Sequence, residues 1–167
     1  MTDKVLAPLA EALRFSTEDL RQNRQGKLSI RQKGRLWARC LGTLAGGLAL
    51  ALAPILLTWL LLGWSNAQLT QANLADSRAW LGYAVGLALG AFFFVANFRA
   101  VFLLPDLLAA QTVPLEAQAQ VWGRYLVIKQ RRFVLEPPSL ELIRHGVRYR
   151  VYFLPLSNTL LSLEFAD

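Results

Sequence analysis

Few residues in this 167-residue chain have the type and spacing to do chemistry. It holds one cysteine, Cys40, and one histidine, His145. A disulfide needs two thiols, and structural zinc sites draw several ligands from Cys and His, so one copy of the chain can build neither. The sequence spells out no Ser/His/Asp grouping, no phosphate-cradling glycine loop and no cluster of metal ligands. It therefore predicts no catalytic residues, no metal site and no cofactor. His145 precedes Gly146 and reads as a turn residue. Cys40 follows Arg39 at the edge of an apolar run and reads as a small packing residue, with palmitoylation as its chemical alternative.

The remaining candidates are binding residues. Lys129-Gln130-Arg131-Arg132 is a compact basic cluster, and Arg31, Lys33, Arg35 and Arg39 form a looser one ahead of the first apolar run. Anionic head groups attract clustered cations by about 1 kcal/mol each, so both sets are candidate anionic-lipid contacts. Nucleic acid is the weaker reading, because a helix that continues into lipid has little freedom to enter a groove ~12 Å wide. A third set is made of small residues: Gly42 and Gly46 in one apolar run, with Gly47 and Ala51 alongside, and Gly82, Gly86 and Gly90 in the next. That spacing lets two helices approach closely, and in lipid close contact rather than hydrophobic force pairs them. An antiparallel hairpin within the chain is the first use of these stripes, and homo-oligomerisation the second.

The elements that position these residues follow from charge and hydropathy. The chain is 54% apolar and 17% charged, with a mean hydropathy of +0.34. Soluble domains average about 25% charge. No Asp, Glu, Lys or Arg occurs from Cys40 to Ala75 or from Ala79 to Phe98. Two membrane spans are expected, at about 40–64 and 79–98, with an outer loop at 65–78. About twenty helical residues match a hydrocarbon core of ~30 Å, and Pro54 is a kink site in the longer first span. Trp37 would mark the inner interface, with Trp59, Trp64, Trp80 and Tyr83 as the outer aromatic belt. Of the eighteen cations, nine precede the first run, Arg78 alone lies between the runs, and eight start at Arg99. The positive-inside rule then puts both termini in the cytoplasm, as in a multi-pass protein of a bacterial cytoplasmic membrane. The polar first 36 residues, with four acids, are unlike a signal peptide. Within the spans only Thr43, Thr58 and Asn97 are polar, which argues against transport by a single chain.

The two ends read differently. Val5, Leu6, Leu9 and Leu13 give a short amphipathic helix interrupted or started near Pro8. Ser16 with Asp19 caps a second helix that ends at Gly26, and Ser29 with Gln32 caps a third that runs into the first span. After a juxtamembrane helix and linker at 105–115, the period changes to two. A long strand is expected at about 116–130 with Gly123 as a bulge, then strands at 140–144 and 147–154 joined by His145-Gly146. A last strand starts at Thr159, after a Pro155–Asn158 turn. Some four strands in fifty residues are near the lower limit for an independent core, so this module should pack on the juxtamembrane helix or the N-terminal hairpin. The fold class expected is an α+β membrane protein. It comprises a cytoplasmic helical segment (1–36), a two-span hairpin (37–104), a linker (105–115) and a cytoplasmic antiparallel β module (116–167), shaped as a curled sheet or partly open barrel.

Two stretches carry a resemblance. Phe15-Ser-Thr-Glu-Asp-Leu-Arg-Gln-Asn-Arg-Gln-Gly-Lys-Leu-Ser-Ile-Arg-Gln resembles a segment that precedes the spans of uncharacterised bacterial small membrane proteins. Tyr149-Arg-Val-Tyr-Phe-Leu-Pro-Leu-Ser-Asn-Thr-Leu-Leu-Ser-Leu-Glu resembles the closing hairpin of the same loose group. The resemblance implies domain order and a bacterial origin, and no activity. The function expected is a non-catalytic membrane scaffold, assembly factor or accessory subunit, with an anionic-lipid or ligand sensor as the alternative. Its partners would be the lipid bilayer and a homo-oligomer or larger membrane complex.

Overall fold

The computed structural model describes residues 3–65 and 77–166; the expected outer loop lies almost wholly outside them, as do the side chains of Val5, Leu6, Trp64 and Arg99. In chain order the elements are α1 (Asp3–Ala12), α2 (Thr17–Arg24), α3 (Ile30–Ser65), α4 (Ser77–Ala96) and α5 (Phe98–Ala109). There follow β1 (Val113–Gln118), β2 (Gln120–Trp122), β3 (Tyr125–Ile128), β4 (Arg131–Val134), α6 (Pro137–Glu141), β5 (Arg148–Leu154) and β6 (Thr159–Phe165). The fold is α+β, with one long apolar helix and a small antiparallel sheet domain. Two compact units emerge: residues 1–38 with 102–167, and residues 39–101.

Local side-chain bonds set the helix starts in the first unit. The Ser16 hydroxyl accepts from the Asp19 N–H at 3.1 Å while the Asp19 carboxylate accepts from the Ser16 N–H at 2.8 Å, so both halves of the capping box form. The same reciprocity recurs at α3, where the Gln32 N–H donates to Ser29 Oγ at 3.0 Å and the Ser29 N–H to Gln32 Oε1 at 3.3 Å. Gly26 adopts φ +74°, the left-handed conformation that lets the chain leave α2. Pro8 lies inside α1 rather than at its start.

Two three-stranded antiparallel sheets, ordered β1-β5-β6 and β2-β3-β4, share what is nearly one bent strand. Only the buried Ala119 separates β1 from β2; its N–H donates to Val147 O at 2.9 Å and its carbonyl accepts from the Gly146 N–H at 2.8 Å. Together the two sheets make one small antiparallel sheet domain. The core within it holds Leu126, Ile128, Phe133, Tyr149, Val151, Phe153 and Leu163, with Leu9 of α1, Phe15 of the α1–α2 connection and Leu20 of α2.

Two expected strands are corrected. The stretch 116–130 is not one strand with a bulge. Gly123, at φ +59°, stands in a two-residue turn, because Trp122 pairs with Tyr125 and the chain reverses there into β3. Residues 140–144 do not form a strand either. Pro137 opens the helical turn α6, which buries Leu140, and Ile143 just beyond it is buried as well. Proline favours the first helical turn, and a short apolar run fits either period.

In the second unit, α3 continues through Pro54 without ending, and Thr58 Oγ1 donates to the Pro54 carbonyl at 2.7 Å. Over Ile30–Leu61 this helix is long and apolar enough to cross a membrane, with a mean hydropathy of 2.1 in its most apolar window. Helices α4 and α5 meet that test only when taken together across the bend that separates them.

Candidate functional site

Three constellations stand out. The first is the contact between α3 and α4, built by small residues. A Cβ added at Gly86 would meet Ala51 O at 2.6 Å and Ile55 Cγ1 at 2.9 Å, and one at Gly90 would meet Ala51 Cβ at 2.9 Å. One at Gly82 would collide with Thr58, and one at Gly47 would lie 2.7 Å from the Phe93 ring. These pairings run as a continuous antiparallel register. Gly46 sits at the margin, 3.7 Å from Phe93, and a Cβ at Gly42 would meet nothing within 4 Å. Gly47, rather than Gly42, is the close-approach residue of α3. Cys40 is fully buried in the same unit, its Sγ 3.8 Å from the Ala100 carbonyl.

The second is a buried polar seam in the first unit. Asn23 Nδ2 donates to Ser162 Oγ at 2.7 Å, and Gln32 Nε2 to Leu161 O at 3.5 Å. The Glu164 carboxylate is buried and accepts from Tyr152 Oη at 2.8 Å and from the Arg24 guanidinium. Burial, then the bond to Glu164, holds the Tyr152 phenol above its ordinary pKa. Asp106 of α5 is also buried and accepts the Ser157 and Leu156 N–H groups at 2.7 and 3.2 Å. These bonds fasten α2, the start of α3 and α5 onto the β5–β6 hairpin. They also account for the burial of both faces of β6: Leu163 belongs to the core, while Ser162 and Glu164 lie on the side that α2 bonds.

The third is the outer face of the β2-β3-β4 meander. Trp122 pairs with Tyr125 and Tyr125 with Val134; directly opposed residues share a face, so the three form one row. All are exposed, Trp122 by 71%, Val134 by 52% and Tyr125 by 39%. The next row on that face is Gln120, Val127 and Arg132. The Arg132 guanidinium lies 5.9 Å from the centre of the Trp122 ring, and a shallow groove of about 340 Å³ runs between Trp122, Gly123, Tyr125 and Arg132.

The expected lipid-contacting residues do not act alike. Lys129 is exposed at φ +49° in the β3–β4 turn, and Arg132 lies on the outer face. Arg131 is committed elsewhere: Nη1 donates to Asn158 Oδ1 at 2.8 Å and to Pro155 O at 3.2 Å, and its guanidinium stands 4.9 Å over the Phe153 ring. On α3, Arg31 and Arg39 are exposed, Lys33 is half-buried, and Arg35 donates to the Arg14 carbonyl at 2.7 Å. His145 Nδ1 accepts from the Val121 N–H at 3.4 Å, a contact that holds the corner beside Gly146. Composition and spacing missed Trp122 and Tyr125, which fall in the stretch read as one strand at 116–130, and Val134, which lies beyond it in the unexpected β4.

Comparison with protein-family models, with curated proteins and with solved structures found no match to this chain.

Proposed function

We propose that the chain is a non-catalytic, membrane-embedded scaffold or accessory subunit that displays its sheet-containing unit at the cytoplasmic face of a bacterial membrane. In this reading α3 is one span, and α4 with the start of α5 is the other. The observation that carries it is the apolar α3 window, only 6% of which is buried within the protein. Apolar surface on that scale is unfavourable in water and has no cover among the described residues, whereas lipid removes it from water. The even number of crossings draws on the polar seam. Segments that hydrogen-bond to each other, as Asn23 does to Ser162, must lie on one side of a bilayer. A chain that crosses between them must also return, which supports two spans and agrees with the balance of cations.

The small-residue stripes of α3 and α4 serve the hairpin itself in this reading, so assembly into a homo-oligomer or larger complex uses other surfaces. Purification in mild detergent tests the scaffold role. Stoichiometric co-purification of other membrane proteins is the expected result, and repeated recovery of this chain alone contradicts it. Release of the chain from membranes by alkaline carbonate would contradict the membrane reading.

A further inference from the structure

The outer face of the meander departs from the usual pattern of a one-sided sheet. Such a sheet turns polar residues to water, as β1 and β5 do with Glu116 and Arg150, paired at 2.9 Å. The β2-β3-β4 face instead carries Trp122, Tyr125 and Val134 in one exposed row. Packing does not account for them: the core lies behind the opposite face, where Leu126, Ile128 and Phe133 are fully buried. Charge around the row has one sign. Between Gln120 and Val134 the chain carries Arg124, Lys129, Arg131 and Arg132 and no acid. Arg131 is held by Asn158 and Pro155, which leaves three exposed cations: Arg124 in the turn beside the aromatic pair, Arg132 one row along, and Lys129 in the turn at the other end of β3.

We propose that this face docks on an anionic lipid surface, with Trp122 and Tyr125 among the head groups and Arg124, Lys129 and Arg132 against their phosphates. Trp and Tyr are the side chains that partition to the membrane–water interface, and clustered cations select anionic over neutral lipid. The groove is shallow, as suits a broad surface better than an enclosed small molecule. The proposal rests on the membrane-embedded reading above, since a tether to the same bilayer keeps the face at high local concentration of lipid and lets modest contacts suffice.

The test uses the full chain with Cys40→Ser and Gln120→Cys, which places a single thiol in the second row of the face. The protein is reconstituted in nanodiscs of phosphatidylcholine alone or mixed with phosphatidylglycerol, and the rate of maleimide labelling is measured. Labelling is expected to slow by about tenfold or more with the anionic lipid. High salt, or the combined Arg124→Gln, Lys129→Gln and Arg132→Gln substitutions, should restore the fast rate with an unchanged circular dichroism spectrum. Equal rates in both lipids overturn the docking while leaving the spans intact; failure of the chain to incorporate overturns the parent reading instead. Protection that requires an added oligonucleotide or a soluble protein, and not anionic lipid, assigns the face to that partner and also overturns the proposal.

Discussion

Asn23 of α2 donates to the hydroxyl of Ser162 in β6 at 2.7 Å, joining positions 139 residues apart. Next to this bond, Arg24 reaches Glu164, so consecutive residues of one helix engage alternate residues of one strand. The N-terminal hairpin is thereby part of the sheet unit rather than a separate collar. Asn23→Ala and Ser162→Ala should each destabilise the unit by about 1–3 kcal/mol, because each leaves a buried partner without its hydrogen bond. The double variant should lose less than the two single losses combined, with a coupling of about 0.5–3 kcal/mol in a denaturant cycle. Strict additivity would mean the bond contributes nothing.

Acid should loosen the same region through Asp19, which is only 2% exposed. Burial pushes its pKa up, but hydrogen bonds from Ser29 and Ser16, with the nearby charge of Arg31, outweigh burial and hold it below the ordinary 3.8. A carboxylate whose folded pKa is depressed stabilises the fold above its unfolded pKa and loses that contribution as pH falls through the folded value. Stability should therefore decline below about pH 4. Asp19→Asn should lower stability at neutral pH and flatten that decline, as read by denaturant unfolding across the acid range. An unaltered acid limb would contradict the assignment.

Two glycines of the apolar helices should respond unequally. Gly86→Leu drives a side chain into Ala51 and Ile55 and should cost about 1–3 kcal/mol in detergent unfolding, or disrupt the hairpin. Gly42→Leu meets open space and should change stability by less than about 0.5 kcal/mol. Equal responses would show that the register between α3 and α4 is wrong.

The β3–β4 turn places Lys129 at φ +49° and Gln130 at φ +71°, both left-handed, between the paired Ile128 and Arg131. Such a turn favours Asn-Gly, and each left-handed L-residue costs roughly 1–2 kcal/mol. Lys129→Asn with Gln130→Gly should raise the thermal midpoint of the sheet unit by several degrees, about what 1 kcal/mol gives in a domain of this size. A lowered midpoint would reject the turn geometry.

What the sequence made legible was local. Both capping boxes could be read because their donor and acceptor lie three residues apart, and the left-handed Gly26 because only glycine enters that region freely. The β5–β6 hairpin was legible from alternation and a Pro155–Asn158 turn. β4 was missed because neither Lys129 nor Gln130 announces a reversal, and β1, β2 and β3 were read as one strand because Gly123 reads equally as a bulge or a turn. Ser162 and Glu164 alternate with Leu161 and Leu163 as a solvent-facing row would, and only the arrival of α2 makes them buried. Contacts of that kind depend on which distant segment returns, and periodicity carries no record of it. The same holds for the outer face, since Trp122, Tyr125 and Val134 become a patch only when three short strands align in register.

In the proposed topology the two ends share one side of a membrane while the chain between them crosses and returns. Single thiols at Gln68 and at Ala166, each in a Cys40→Ser background, can be labelled with a membrane-impermeant maleimide in sealed inside-out vesicles. Ala166→Cys should label at once and Gln68→Cys only after the vesicles are opened. Immediate labelling of both, or of Gln68→Cys alone, would contradict the account.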